Sequence, residues 1–418
     1  MKGKLEYKWI ILFTCCLMAF VCLGFCSSNK GLYLSAITNA LGLKRSLFSL
    51  NDTCRYVATA ITNLFFGSLM SRFGTRKMAA FGFLSLIAAT LIYSFAENIF
   101  VFYIGGTLLG IGFSFTSITM ASTIIRQWFH KDIGTYTGIA FAASGIGGAV
   151  AAQIVTPLIN EPGNPFGYRN AYLLVSAILL ITGIVVALLL RESPAGSTAA
   201  KKKVRGATWV GLPYAEARKK SYFYLAAGIV FMTGLILQSI ATVYATHMLD
   251  VGLSAEFVAT IASIYSLAMA VTKILIGVLY DRFGLRLVMA LCQLATSVSL
   301  FLMAALSASD SGKISSLLFA LLFAIAIPLE TLVIPLIVND LFGSASYIKI
   351  LGIFTAMNYA GYAIGCPLVN LGYDIIGSYA PIFLAFGILM LPACLIFQRI
   401  ILTAQQERSR ISSASETE

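Results

Sequence analysis

Long apolar stretches separated by short polar loops occupy almost the whole chain. Each stretch holds about 20 residues or more, the length that an α-helix needs to cross roughly 30 Å of hydrocarbon. We identify twelve such spans, numbered here in chain order: 9–37, 47–70, 77–95, 99–126, 133–159, 168–190, 221–249, 254–280, 286–307, 314–338, 347–372 and 379–402. They are too uniformly apolar for the alternating ~10-residue strands of a membrane β-barrel. The pattern predicts an all-α membrane protein with twelve transmembrane helices.

One long polar stretch, residues 191–220, divides the spans into six and six. It combines Pro, Gly and Ser with a basic run, which is typical of a linker. The division predicts two six-helix bundles, residues 1–190 and 221–402. A cytoplasmic linker joins them, and residues 403–418 form a cytoplasmic tail.

The composition restricts the class of protein further. Apolar residues make up 59% of the 418 residues and charged residues only 11%, whereas a soluble domain carries about 25% charged residues. These values exclude a soluble enzyme, a nucleic-acid binder and a disordered chain. The net charge of +12 reflects topology, because 22 of the 29 Lys and Arg residues flank the same ends of the spans. Since such residues collect on the cytoplasmic side, we expect a plasma-membrane protein with both termini in the cytoplasm.

The cysteines and histidines give no sign of a metal centre. All eight cysteines lie in apolar stretches without a paired ligand spacing, and the two histidines form no cluster. No nucleotide-binding P-loop occurs in the sequence, which argues against ATP-driven transport. We therefore predict no cofactor and no metal, and we assign the cysteines to helix packing.

A short motif recurs at the same place in both halves. The sequence GSLMSRFGTR (67–76) follows span 2, and GVLYDRFGLR (277–286) follows span 8, 210 residues later. A repeat of this period indicates two like-oriented halves, as in one class of membrane transporters. The halves are therefore expected to be pseudo-symmetric.

This repeated loop resembles the signature of the major facilitator superfamily, and the six-plus-six plan fits that family over essentially the whole chain. The resemblance implies the major facilitator fold and a cytoplasmic gate, in which the motif clamps neighbouring helix ends in the outward-open state. The gate residues it implies are Gly67, Arg72, Gly74, Arg76, Gly277, Asp281, Arg282, Gly284 and Arg286. Ser71 stands where the family has Asp, so we expect a weaker latch in the first half.

A narrower resemblance involves residues 126–148, RQWFHKDIGTYTGIAFAASGIGG. They are similar to a pattern of the monocarboxylate transporters and of their bacterial oxalate/formate antiporter relatives. Gly24-Phe25, followed by Lys30, also resembles the eukaryotic monocarboxylate branch.

Ionisable residues inside the spans are few. An ionisable group within a membrane is costly unless it faces a cavity or a partner, so each is a functional candidate. They are Lys30 in span 1, Asp52 and Arg55 in span 2, Lys273 in span 8 and Glu330 in span 10.

Two lysines are candidates for anion binding. Lys273 lies eight residues before Asp281, about 12 Å inside the helix end and close to the membrane midplane. The relatives carry at this spacing an arginine that binds the substrate carboxylate, so the resemblance implies the same role for Lys273. The alternative is that Lys273 neutralises Glu330. Lys30 corresponds to a functional lysine of the monocarboxylate branch, or it reaches the outer interface as an ordinary snorkelling side chain.

Three further charges are candidates for charge balance or proton coupling. Asp52 and Arg55 are three residues apart, so one helical face can hold them as an ion pair. This pair is either structural or part of an outer gate, and substrate contact is a third possibility. Glu330 lies between Pro328 and Pro335, which loosen the helix. It is either a proton site or a neutralising partner for Lys273 or Arg55.

Two departures from the relatives bear on the substrate. Met269 replaces the acid that precedes the span-8 cation in monocarboxylate transporters, and Asn358 replaces the second lysine of the oxalate type. One central cation suits a monocarboxylate better than a dicarboxylate. Four polar residues near the charged positions complete the predicted binding set: Tyr33, Tyr265, Asn358 and Tyr362.

Together these features predict a secondary active transporter and not an enzyme. We expect it to move a small organic anion, most simply a monocarboxylate, by alternating access as anion antiport or H⁺ symport, and to function as a monomer. The alternatives are a multidrug or antibiotic efflux carrier on the same fold and a membrane receptor that transports nothing.

Overall fold

Helices account for nearly all of the chain that the structure describes. The structure is a computed structural model, and it describes residues 2–27, 30–43, 45–129, 131–159, 161, 164–191 and 211–416. No strand is present within these ranges. The chain divides into two compact units, Met1–Lys202 and Lys203–Glu418, called unit 1 and unit 2 below.

Unit 1 contains spans 1 to 6. Span 1 comprises Lys2–Met18, the π-helical segment Ala19–Phe25 and Lys30–Leu41, and span 2 is Arg45–Phe73. The remaining helices are Thr75–Phe95 for span 3, Ile99–Thr116 and Ile118–Trp128 for span 4, Ile133–Ile159 for span 5 and Gly167–Leu189 for span 6. Span 4 is interrupted at Ser117, whose φ and ψ are −115° and −136°.

Unit 2 contains spans 7 to 12. A short helix, Tyr214–Ala217, precedes span 7, Ser221–Asp250. Spans 8 and 9 form one helical run, Ala255–Ala304, that bends at Gly284. Span 10 comprises Asp310–Ala326, the π-helical segment Leu329–Val333 and Ile334–Phe342; span 11 is Tyr347–Ile376 and span 12 is Ala380–Glu416. Helix therefore lies in every one of the twelve predicted spans.

Nine helical stretches of the described ranges are long and apolar enough to cross a membrane. This number counts the bent run of spans 8 and 9 once. Arg45–Phe73 and Tyr347–Ile376 are long enough but fall short in mean hydropathy, because spans 2 and 11 carry many polar residues. When spans 8 and 9 are counted separately and spans 2 and 11 are added, the described helices account for all twelve predicted spans.

The two units pair their helices in the same way. In unit 1, span 1 packs against span 5, span 3 against span 6, and span 4 against spans 2 and 3. In unit 2, span 7 packs against span 11, span 9 against span 12, and span 10 against the run of spans 8 and 9. The predicted pseudo-symmetry is thus visible within the separate units.

The repeated loop has the same backbone shape in both units. Gly74 has φ 79° and ψ 164°, and Gly284 has φ 78° and ψ 178°. This region of backbone space is open essentially to glycine alone. The two motif glycines therefore turn the chain identically between spans 2 and 3 and between spans 8 and 9.

The structure describes part of the predicted tail and part of the predicted linker. The predicted tail from residue 403 continues the span-12 helix to Glu416, and Glu407 in this extension bonds to Lys220 and accepts a hydrogen bond from Tyr222. Most of the predicted linker, residues 192–210, lies outside the described residues. Its last part is attached to unit 2, because the Leu212 amide donates to the Phe342 carbonyl at 2.9 Å.

Candidate functional site

Two predicted charges of opposite sign are buried in unit 2. Lys273 of span 8 is 4% exposed and Glu330 of span 10 is 5% exposed, and the two groups lie within electrostatic range of each other. A buried charge is tolerated only when it is balanced or hydrogen-bonded. The two opposite charges can therefore balance each other across two helices, and they are called the Lys273–Glu330 pair below.

The backbone around Glu330 is irregular. Glu330 lies in the π-helical segment Leu329–Val333, directly after Pro328. Such π-bulges occur frequently at functional sites. Tyr362 of span 11 is a hydrogen-bond partner of the Glu330 carboxylate, whereas its Oε1 atom has no hydrogen-bond partner among the described residues. One carboxylate oxygen is thus available to a proton or to water.

The two predicted tyrosines of unit 2 lie on spans 8 and 11. Tyr362 of span 11 is 7% exposed and contacts Glu330. Tyr265, eight residues before Lys273 on span 8, stacks on Phe323 of span 10 at 5.5 Å between ring centroids. A second tie between these helices is the bond from the Thr272 hydroxyl to the Ala324 carbonyl, at 2.6 Å.

Asn358, another predicted residue of unit 2, is buried against span 7. It is 1% exposed, its Nδ2 atom donates to the Val230 carbonyl at 3.5 Å, and it lies against Gly234. These contacts are to span 7, which approaches span 11 closely at this glycine. Asn358 also lines a small cavity of unit 2 together with Val230 and Thr233, and its role in binding stays a prediction.

The remaining predicted residues belong to unit 1. Asp52 Oδ1 lies 3.5 Å from Arg55 Nη2, so the spacing of three residues does produce an ion pair. Arg55 is 4% exposed, and its guanidinium lies 4.5 Å from the ring centroid of Tyr56. Tyr33 lines the same cavity as this ion pair. Lys30 begins the helix Lys30–Leu41, and its side chain is outside the described part of the molecule.

Most of the residues that line this cavity were not predicted from the sequence, and three of them are polar residues that contact one another or the ion pair's helix. Asn51 precedes the ion pair on span 2, Tyr93 lies on span 3 and Tyr172 lies on span 6. Nothing in the sequence distinguishes these two tyrosines from the other 17.

The gate motif is cross-linked in unit 2. The Tyr280 hydroxyl donates to Asp340 Oδ1 at 2.5 Å, which joins span 8 to span 10. Arg286 Nε donates to Gln398 Oε1 at 3.2 Å, and Gln398 Nε2 donates back to the Arg286 carbonyl at 3.0 Å. Neither Tyr280 nor Gln398 was predicted, because their partners lie far away in sequence.

The unit 1 copy of the motif makes more local contacts. The Ser71 hydroxyl donates to the carbonyl of Ser68 on its own helix at 2.9 Å, and the Arg72 guanidinium lies 5.4 Å from the Phe73 ring centroid. Arg76 is exposed. The weaker latch expected from Ser71 stays a prediction.

Comparison with known proteins identifies relatives over almost the whole chain. The sequence model of the Major Facilitator Superfamily matches residues 15–247 and 226–417. Multidrug resistance protein 2 of Bacillus subtilis is 25% identical over 260 residues, 60% of this chain and 62% of that protein. Monocarboxylate transporter 2 of Homo sapiens is 21% identical over 362 residues, 78% of this chain and 71% of that protein. Two other transporters of B. subtilis are matched over 65% and 43% of their length.

Solved structures show the same fold. The proton:xylose symporter XylE matches with a TM-score of 0.76 and 13% sequence identity, over 95% of this chain and 96% of that chain. At this identity the likeness concerns the fold and leaves the substrate open.

Proposed function

Because the chain belongs to the Major Facilitator Superfamily and is a membrane transporter rather than an enzyme, we propose that it moves a small organic anion, most simply a monocarboxylate, by alternating access. The observation that carries this proposal is the buried Lys273–Glu330 pair of unit 2. The similarity to a monocarboxylate transporter, at 21% identity, supports the same substrate class.

The pair supplies one cation for a single carboxylate. The Lys273 ammonium is a compact charge that can turn between acceptors. Without substrate, Glu330 neutralises it. When a carboxylate binds Lys273, two negative groups share one positive charge, and protonation of Glu330 restores the balance. Because each event favours the other, the pair can couple anion uptake to H⁺ uptake.

Exchange of one anion for another uses the same arrangement. If Glu330 keeps its proton throughout, Lys273 needs an anion at every stage, and the carrier then exchanges anions across the membrane. The structure thus supports both H⁺ symport and antiport, and the two differ in what happens to Glu330.

Uptake into proteoliposomes tests the substrate class. The purified protein is reconstituted, and uptake of radiolabelled monocarboxylates, dicarboxylates and a neutral sugar is compared. We expect uptake of one or more monocarboxylates and its loss in Lys273→Ala. Lys313→Ala is the matched control, because Lys313 is exposed and pairs with Asp310 at the start of span 10. The anion proposal is wrong if the wild-type protein transports no carboxylate but transports another substrate, and Lys273→Ala transports that substrate equally well.

Glu330→Gln tests the coupling. We expect it to abolish uptake driven by a pH gradient and to spare exchange between labelled and unlabelled substrate. Glu97→Gln is the control, because Glu97 is exposed and pairs with Arg169. Unchanged pH-driven uptake in Glu330→Gln would remove Glu330 from the proton role.

Drug efflux is a second candidate function, supported by the 25% identity to a multidrug resistance protein. Extrusion of a lipophilic cationic dye from cells that express the protein would favour it. Dye extrusion that persists in Lys273→Ala would show that drug efflux does not use the proposed anion site.

We also propose that both termini face the cytoplasm, on the basis of the 22 flanking bases. Protease accessibility of an epitope at either end, in sealed right-side-out vesicles, tests this orientation. Cleavage without permeabilisation would reverse it. The expected monomeric state can be checked by the mass of the purified particle.

A further inference from the structure

A cavity lies inside unit 1, and none of the residues that line it belongs to unit 2. Residues of spans 1, 2, 3, 4 and 6 surround about 550 Å³ of empty space, which includes some open solvent. Because all of its walls belong to one unit, its shape depends only on helices that pack together within that unit.

One part of the wall is polar. The Arg55 side chain is almost fully buried there and forms the ion pair with Asp52. Tyr33, which is 5% exposed, also lines the cavity, and its hydroxyl makes no hydrogen bond to any described residue. A buried hydroxyl without a partner is unfavourable, so water or a ligand is needed to satisfy it.

The rest of the wall is largely apolar and aromatic. Phe25, Phe48, Leu109 and Val175 supply apolar surface. The polar and apolar parts together resemble a small-molecule site, in which a few polar groups orient a ligand and apolar surface contacts the remainder.

The aromatic wall is held in place by its own contacts. Tyr33 stacks on Tyr172 with 4.2 Å between ring centroids, and Tyr172 in turn lies 5.2 Å from Tyr93. The Tyr93 hydroxyl donates to Asn51 Oδ1 at 3.0 Å. The position of the Tyr33 ring is therefore determined before any ligand arrives.

We propose that this cavity binds a small monocarboxylate with an apolar group, whose carboxylate lies between the Arg55 guanidinium and the Tyr33 hydroxyl. A guanidinium and a hydroxyl are both donors, and they match carboxylate oxygens. The Asp52 side chain is 41% exposed and is screened by solvent, so the buried Arg55 charge can still balance one carboxylate but not a dianion. The position of the site follows from the cavity, and only the ligand class rests on the proposed function.

Cys26 lines the cavity, so the rate at which its thiol is alkylated is one measure of the cavity's occupancy. The full-length protein in detergent is treated with N-ethylmaleimide, and the alkylation rate of Cys26 is followed by peptide mass spectrometry. Benzoate is the probe, and benzamide is its uncharged counterpart. We expect saturating benzoate to slow alkylation of Cys26 at least threefold and benzamide to leave it unchanged. Cys366 of span 11, half-buried in unit 2, is the internal reference.

Variants test which groups hold the probe. Tyr33→Phe removes only the unsatisfied hydroxyl, and Arg55→Gln removes the cation. Each variant should raise the benzoate concentration that gives half-maximal protection of Cys26 at least fivefold. Tyr103→Phe is the control, because the Tyr103 hydroxyl is bonded to the Leu47 carbonyl. Should Arg55→Gln not fold, Tyr33→Phe carries the comparison. Equilibrium dialysis with radiolabelled benzoate measures the same binding without relying on the thiol.

Lys273→Ala separates this site from the one in unit 2. Benzoate protection that persists in Lys273→Ala supports an independent site, and protection that disappears overturns it. Absence of benzoate binding in the wild-type protein, or equal binding in Tyr33→Phe and Arg55→Gln, also overturns it. If benzoate protects Cys26 while no carboxylate is transported, the proposed function is wrong and the proposed site is supported. If carboxylates are transported while benzoate does not bind in this cavity, the proposed function is supported and the proposed site is wrong.

Discussion

Neutralising Lys273 and Glu330 separately and together decides whether Lys273 binds substrate or only balances Glu330. The two side chains are 4% and 5% exposed and lie on spans 8 and 10 of one unit. Lys273→Met and Glu330→Gln keep the side-chain volume and remove the charge. Each single variant leaves the opposite charge buried, and the double variant leaves none.

The expected costs follow from the burial of both groups. Removing one partner of a buried ion pair costs about 3–5 kcal/mol, whereas replacing both is often close to neutral. In a unit of about 200 residues, 1 kcal/mol lowers Tm by roughly 2–4 °C. We therefore expect each single variant to unfold roughly 6–20 °C below the wild type and the double variant to unfold within a few degrees of it.

The stability of Lys273→Met should also depend on pH. Its Glu330 charge is stranded when ionised, so protonation removes the unfavourable charge. Destabilisation of Lys273→Met should therefore decrease as the pH falls. The double variant, which contains neither charge, should show no such trend relative to the wild type.

Two measurements on the same preparations complete the test. Thermal unfolding of the purified protein, followed by intrinsic fluorescence, measures stability, and proteoliposome uptake measures transport. If Lys273 binds the anion, the double variant is stable but inactive. Wild-type uptake by the double variant would refute the binding role of Lys273. If the stability lost in the double variant equals the sum of the losses in the two single variants, the charge pair itself is refuted.

Three further outcomes are expected for the thermal unfolding of purified variants. Gly284→Ala should destabilise the protein by about 1–3 kcal/mol, because the φ of 78° at this position suits only glycine. No neighbour lies within 4 Å of the added methyl group, so the effect measures backbone strain alone. Gly228→Ala, which also has open surroundings, is the control, and equal effects of the two substitutions would contradict this prediction. Tyr280→Phe should cost roughly 1.5–3 kcal/mol through its bond to Asp340, and an unchanged Tm would show that the bond contributes nothing. Gly361→Val should overpack the contact with span 7, where the Phe231 carbonyl lies against this glycine, and should cost about 1–3 kcal/mol. An unchanged Tm would show that span 7 moves away without cost.

The helices were predictable because the sequence contains a local signal for each of them. Apolar length identifies the spans, and the two motif copies identify the repeat. The interruption of span 10 was also predictable in part, since Pro328 and Pro335 weaken its hydrogen bonding. The break of span 4 at Ser117 was not, because serine is compatible with an uninterrupted helix and the surrounding packing determines its conformation.

The candidate site was predictable only where neighbours in sequence are neighbours in space. Asp52 and Arg55 share one helical turn, and their pairing followed from the spacing. Tyr93 and Tyr172 meet through the packing of spans 3 and 6, which no local pattern reports. Asn358 was placed by its depth in the membrane, but the direction of its amide depends on the close approach of span 7 at Gly234.

The two units place their buried charges in different ways, and the difference bears on their roles. Asp52 and Arg55 lie on a single helix, so movement of one helix against another leaves their separation unchanged. Lys273 and Glu330 lie on two helices, and one of them is interrupted by a π-helical segment at Glu330 itself. A shift of span 10 against span 8 changes the distance between these charges and therefore the ease with which Glu330 gains a proton. We therefore propose that the pair of unit 2 couples conformation to protonation, and that the fixed pair of unit 1 recognises a ligand.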